Sequence, residues 1–218
     1  MMAKPVLVIG NKNYSSWSLR PWLLLKQFGI AFDEVRIPLF TEQMPELMAE
    51  HTPCNKVPVL KDDDFAVWDS LAICEYINQH FLVGKGWPED PRLMSLGRSA
   101  VAEMHSSFPD LRHELPMNVR RRYDGVSLSA AAQKDSDRII SLWQQLLAHS
   151  NGPWLLGQFS IADAFYAPVA SRFMTYNIEL PSELKAYCQQ VLALEAYQEW
   201  LSAAKAETEV IAEEEVEL

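Results

Sequence analysis

Asn55-Lys56-Val57-Pro58-Val59-Leu60, followed by Trp68-Asp69-Ser70-Leu71-Ala72-Ile73, decides the reading of this chain. Val57-Pro58 opens a strand, because proline cannot donate to a β-ladder and belongs at a strand's start or edge. An X-Pro bond is also where a cis peptide costs little. A cis bond here turns the N–H and C=O of Val57 outward, where an extended peptide can pair with them as an added strand. A trans bond makes Pro58 only the end of a loop. Asp69-Ser70 stands where a second strand gives way to a helix over residues 70–81. A helix start offers unpaired N–H groups and a partial positive charge. A ligand carboxylate can take the Ser70 hydroxyl and N–H there, and Asp69 can accept from a ligand ammonium. Both residue types serve equally as plain helix caps.

Working outward, Val57-Pro58-Val59-Leu60 and Phe65-Ala66-Val67-Trp68 flank Asp62-Asp63-Asp64, the signal of a hairpin. Upstream, Val6-Leu7-Val8-Ile9 is a continuous apolar run, as in a strand buried on both faces. A polar loop with several serines follows, then a helix from Leu19 that tolerates Pro21 in its first turn and ends at Gly29. Residues 32–37 read as a strand and 44–50 as a short helix. The order β-α-β-α-β-β-α makes a small mixed sheet with helical cover. Gly84, Gly86, Pro88 and Pro91 mark residues 82–92 as a linker. Beyond it the strand signals vanish. Helices are expected over 93–115, 129–149, 160–174, 181–194 and 195–206, with a break at Asn151-Gly152-Pro153. The fold class is an α/β N-terminal domain, residues 1–81, followed by an all-α C-terminal domain, residues 93–218.

Composition narrows the function. A net charge of −10 gives no attraction for phosphate backbones, so nucleic acid is not an expected partner. No apolar run is long enough to span a bilayer, so no membrane association is expected. Met1-Met2-Ala3-Lys4-Pro5 lacks the features of a secretory leader. Cys54, Cys74 and Cys188 are sparse and odd in number, with no CxxC, which points to a reducing cytoplasm. No spacing suggests a metal site, and no Gly-rich loop suggests phosphate binding. The glutamates between 207 and 217 read as a solvated, frayed end.

The pairing of NKVPVL with WDSLAICEYI closely resembles the glutathione-binding half of the cytosolic glutathione transferases. Trp154-Leu155-Leu156-Gly157-Gln158-Phe159-Ser160-Ile161-Ala162-Asp163 is similar to that family's C-terminal "G…S/T-x-A-D" segment. Ser160 and Asp163 there form a variant capping box, a structural device. The resemblance spans nearly the whole chain and implies a thioredoxin-like N-terminal domain. It implies that Val57, before cis-Pro58, pairs with the cysteinyl unit of glutathione. Asp69 and Ser70 would bind the γ-glutamyl end, and Lys56 would lie near the glycyl carboxylate. It also implies a homodimer.

Family members place a Tyr, Ser or Cys near the start of the first helix. Here the loop reads Asn13-Tyr14-Ser15-Ser16-Trp17-Ser18-Leu19-Arg20, similar to the zeta-class pattern S-S-C-S-x-R and compatible with tau-class spacing. In both classes the active serine lies five residues before the arginine, which falls on Ser15, with Ser16 as its fallback. A hydroxyl hydrogen bond to sulfur favours the thiolate, and the helix's positive end adds to it. The thiolate then attacks an electrophilic carbon. No cysteine stands at this place, which disfavours mixed-disulfide chemistry. Trp17 replaces the zeta-class cysteine, and that bulkier wall argues against zeta-type isomerisation. Arg20 is a structural residue that could pair with a buried carboxylate. The second substrate belongs against the first long helix, near Trp17, Met104, His105, Phe108 and Arg112, where the apolar members serve equally as core. An open apolar pocket fits a broad range of electrophiles, the chemistry of detoxification. The expected function is a serine-type glutathione transferase. A non-catalytic glutathione-binding protein of the same fold, or a glutathione-dependent isomerase or peroxidase, is the alternative.

Overall fold

The apolar run Val6–Ile9 forms β1, an inner strand of a four-stranded sheet. It pairs parallel with β2 (Asp33–Arg36), Val6 opposite Asp33, and antiparallel with β3 (Val59–Asp62), Val8 opposite Val59. β3 forms a hairpin with β4 (Phe65–Trp68), so the order is β2-β1-β3-β4. Successive side chains point to opposite faces. Leu7 and Ile9 join the core of α1 (Ser16–Gln27) and α3 (Ser70–His80), whereas Val8 and Val59 pack with Ile37 and with Met48 of α2 (Met44–His51). Cover on both faces is why β1 shows no polar alternation. This is a computed structural model, and it describes residues 4–216. The leader reading at Met1, Met2 and Ala3 lies outside the described residues, as do Glu217 and Leu218.

The C-terminal half is helical: α4 (Pro91–Ser106), α5 (Pro109–Glu114), α6 (Ala130–His149), α7 (Ile161–Thr175), α8 (Ser182–Ala193) and α9 (Glu195–Ala206). α7 is buried on almost every side and packs against α1, α4 and α8. Its start is the expected capping box. Ser160 Oγ accepts from Ala162 N, and the Asp163 carboxylate accepts from Ser160 N at 2.9 Å. Asp163 also takes Leu155 N at 3.1 Å and the Tyr187 hydroxyl at 3.2 Å, so it ties α7, α8 and the preceding loop together. A mixed sheet with helical cover followed by an all-helical half is the α/β-plus-all-α order that the sequence patterns lead one to expect.

Four expectations need correction. β3 begins at Val59, not Val57: the Val57–Pro58 peptide is cis, and both residues lie ahead of the ladder. The helix expected over 93–115 is two helices. Pro109 has no N–H to give and disfavours helical backbone in the residue before it. Ser107 is accordingly extended, and Phe108 adopts a left-handed φ of 66°. α4 also opens earlier, at Pro91 within the stretch read as linker, because Asp90 accepts from Arg92 N and proline suits a first helical position. Finally, the acidic segment after α9 is not a frayed end across its described residues. Glu207 and Glu215 bond to the loop that precedes α1. No helix among the described residues is long and apolar enough to cross a membrane.

Candidate active site

Two hollows share a wall made of Trp17, Leu39, Phe40 and Val57. The larger, about 740 Å³, is bordered by Cys54, Asn55, Lys56, Pro58, Trp68, Asp69 and Ser70. The smaller, about 290 Å³, is bordered by Tyr14, Ser15, Ser16, Arg112, Arg172, Ile211 and Glu214. Every residue singled out around the cis-proline and the start of α3 therefore meets in one hollow. Both serines of the first loop meet in the other.

Asp69 caps α3 with φ 74° and ψ 131°. A non-glycine residue held there costs on the order of 1–3 kcal/mol and is typical of functional sites. One carboxylate oxygen accepts Leu71 N at 2.8 Å, and the other lies 2.7 Å from His105 Nε2. Burial raises the Asp69 pKa, but the His105 and Leu71 hydrogen bonds outweigh it and hold the carboxyl below its ordinary value. A depressed carboxyl contributes stability that is present above its ordinary pKa of 3.8 and is lost as pH falls through the folded value. His105→Ala is therefore expected to lower the melting temperature by roughly 1–3 °C at neutral pH, since the pair is partly exposed. Thermal melts repeated at about pH 3 check the sign, because the gap between variant and parent narrows there.

Ser70 is fully buried, and its Oγ accepts from Arg20 Nη1 at 3.1 Å. A hydroxyl oxygen used this way keeps its own proton for an acceptor in the hollow. Among the described residues Arg20 meets no carboxylate, which corrects the expectation. Its guanidinium sits 4.2 Å from the Trp17 ring and 4.5 Å from the Phe165 ring, and its Nε and Nη2 have no hydrogen-bond partner among the described residues. Burial, with Arg112 and Arg172 nearby, pushes its pKa down. The charge behind Ser70 adds to the positive end of α3, which makes this corner suited to a carboxylate.

Ser15 caps α1: its Oγ accepts from Ser18 N at 3.4 Å and donates to Ser18 Oγ at 2.7 Å. Ser18 Oγ also accepts from Gly10 N at 3.1 Å. Sequence reasoning missed Ser18, although its place three residues after a capping serine is a readable signal. Ser16 is the first residue of α1 and borders the same hollow. The Tyr14 hydroxyl is committed elsewhere. It donates to Glu215 at 2.7 Å and accepts from Arg120 at 2.9 Å, and burial and Glu215 raise its pKa.

The second-substrate set divides. Trp17 and Arg112 border the smaller hollow, with the Arg112 guanidinium 4.8 Å from the Trp17 ring. Met104 and Phe108 do not border it. They are buried in the core, Met104 on the inner face of α4 and Phe108 at the turn into α5. His105 is taken by Asp69 and meets Trp17 edge-on at 5.3 Å. Arg172, Ile211 and Glu214 complete the wall and were not foreseen, because they come from α7 and from the segment after α9. Cys54 borders the larger hollow, closer to the site than expected, but no cysteine stands at the start of α1. Among the described residues no cluster of His, Cys, Asp and Glu could hold a metal ion.

Residues 14–80 match the sequence model described as glutathione S-transferase, N-terminal domain, and residues 120–203 match that of glutathione S-transferase, C-terminal domain. A maleylacetoacetate isomerase of Rattus norvegicus is 27% identical over 201 residues, 89% of this chain and 91% of its own. A chloroplastic glutathione S-transferase L2 of Arabidopsis thaliana is 28% identical over 83% of this chain and 61% of its own. A Burkholderia glutathione transferase homologue, solved with bound glutathione, superposes with a TM-score of 0.70 at 21% identity over 94% of this chain and all of its own.

Proposed function

We propose, from the premise that this chain belongs to the glutathione S-transferase family, that it binds glutathione in the larger hollow. Ser15 then activates the thiol for attack on a small electrophile in the smaller one. The observation that supports this reading is the continuity of the two hollows. A peptide bound along Val57 with its carboxylate at Ser70 would place its far groups beside Ser15 and Ser16, at the positive end of α1. In the bound state the Ser15 O–H turns from Ser18 to the sulfur, and Ser18 turns its own O–H onto Ser15 Oγ. Val57 pairs with the cysteinyl unit, Asp69 and Ser70 with the γ-glutamyl end, and Lys56 with the glycyl carboxylate. The division into a glutathione-binding unit, residues 1–81, and a helical unit, residues 93–218, belongs to the same proposal, as does a cytoplasmic location.

Titration of bound glutathione by ultraviolet thiolate absorbance tests it. A depressed thiol pKa supports the reading. Binding without depression leaves a glutathione-binding protein only, and no binding removes the assigned roles of Val57, Asp69 and Ser70. Isomerase activity is the second reading, favoured by the similarity to the rat isomerase despite Trp17. It uses the same thiolate, so parallel conjugation and isomerisation assays separate the two.

The homodimer is proposed on the family's pattern and on β4, an edge strand whose Phe65 and Trp68 are about half exposed. An edge strand carrying exposed aromatic rings is a natural contact surface for a second copy. Light scattering is expected to give a dimer for the parent protein and a shift towards monomer for Phe65→Asp. A monomeric parent removes the claim.

A further inference from the structure

The loop that carries Ser15 is held from the far end of the chain. Glu207 is the first residue after α9, and its side chain is 7% exposed. One of its carboxylate oxygens accepts Lys12 N at 2.7 Å, and the other accepts Asn13 N at 3.1 Å. The carbonyl of Lys12 is held as well, by Trp200 Nε1 at 2.8 Å. Asn13 is fixed at its side chain too: Nδ2 donates to Asn118 and Oδ1 accepts from Arg120 N, each at 3.0 Å. The next residue, Tyr14, is gripped by Glu215 and by Arg120, whose guanidinium also holds the carbonyls of Glu207 and Glu209. Inside the loop, Ser15 N and Tyr14 N both return to Asn11 O. Three consecutive residues ahead of Ser15 are thus fastened to a segment almost two hundred positions away. A short polar loop has no side-chain core of its own to hold it, so these bonds set where the hydroxyl stands.

We propose that Glu207 is a positioning residue for Ser15, so that this one carboxylate after α9 serves the thiol-activating group through the loop that carries it. The inference rests on the reading of Ser15 as the activating group. A carboxylate suits the task because it accepts two adjacent backbone N–H groups at once and because charge-assisted bonds are short and strong. A glutamine can match only one of them, since its amide nitrogen meets the second N–H donor to donor. A displacement of the catalytic hydroxyl by about 1 Å is enough to cost up to a hundredfold in rate.

The experiment measures the thiol pKa of bound glutathione, kcat and the KM for glutathione in five proteins: the parent, Ser15→Ala, Glu207→Ala, Glu207→Gln and Glu213→Gln. Glu213 lies on the same segment, is exposed, and among the described residues forms no hydrogen bond or ion pair with the loop. Both Glu207 variants are expected to raise the thiol pKa by about one unit and to lower kcat about tenfold at neutral pH. The glutathione KM is expected to stay within about twofold, because the binding groups at Val57, Asp69 and Ser70 are untouched. Glu213→Gln is expected to match the parent. A purely structural Glu207 would lower the melting temperature and leave the thiol pKa where it is, and that result overturns the proposal. So does an equal loss in Glu213→Gln. Glu207→Gln keeps the side-chain volume and decides the matter should the alanine variant not fold. A parent without a depressed thiol pKa, or a Ser15→Ala protein that keeps the depression, removes the Ser15 reading itself.

Discussion

Ser15→Ala is expected to bind glutathione almost as the parent does while its thiol returns towards the free value of about 8.5. Lowering a thiol pKa by two units takes roughly 2.7 kcal/mol. One hydrogen bond to a charged acceptor contributes about 1.5–3 kcal/mol, and the start of α1 adds about 0.3–1 kcal/mol. The hydroxyl is therefore the larger share, and its removal is expected to cost about 10–100-fold in kcat at neutral pH. The loss shrinks as pH rises through the free thiol's range, because thiolate then forms unaided. A pH–rate profile of parent and variant checks this, and profiles that stay parallel at high pH refute it. Ser16→Ala is the control that separates the neighbouring hydroxyl, which borders the same hollow. Ser15→Ala also removes the side-chain cap of α1. A fall of about 1 kcal/mol in stability is expected to accompany it, so rates are compared well below the melting temperature.

Asp163→Ala is expected to be the most destabilising single change named here, with no direct effect on the thiol. Its carboxylate is fully buried and is the partner of Leu155 N, Ser160 N, Ser160 Oγ and Tyr187 Oη. Burial pushes its pKa up to about 6 against the pull of those four donors. Removing it leaves two buried backbone N–H groups and two hydroxyls without their acceptor, at about 1–3 kcal/mol for each group that finds no substitute. A total of about 3–5 kcal/mol, or roughly 10 °C in melting temperature, follows for a chain of this size. Differential scanning calorimetry gives the number, and a shift under about 3 °C would mean that water replaces the carboxylate.

The corner around Pro58 and the start of α3 was legible as a meeting place of short-range signals because it is built from local chemistry. Pro58 permits a cis bond and Asp69-Ser70 cap a helix by short-range rules, and the two pairs stand at either end of one hairpin. The capping box at Ser160 and Asp163 was legible for the same reason. The positive φ of Asp69 was not, since aspartate rarely adopts it and nothing nearby in sequence demands it. The break at Phe108-Pro109 was readable from the proline, yet the 3–4 spacing of Met104, His105, Phe108 and Arg112 hid it. That spacing holds only on an unbroken helix; Met104 belongs to the buried face of α4, and Phe108, at the break, also lies in the core.

Sequence alone determined the order of the strands, the two-part architecture, the hairpin that follows Val57-Pro58 and the serine pair at the start of α1. Each of these depends on residues within a few positions of one another, where steric and hydrogen-bonding rules act without help from the rest of the chain. Only the tertiary structure decided that His105 answers Asp69, that Arg20 stands behind Ser70, that Arg172 and Glu214 wall the smaller hollow, and that the acidic end closes on the loop at Lys12 and Asn13. These pairings join residues tens to nearly two hundred positions apart. Their partners are brought together by packing of α1 against α3, α7 and α9 and of α4 against α7, and no periodicity or motif along the chain records which polar groups such packing leaves face to face.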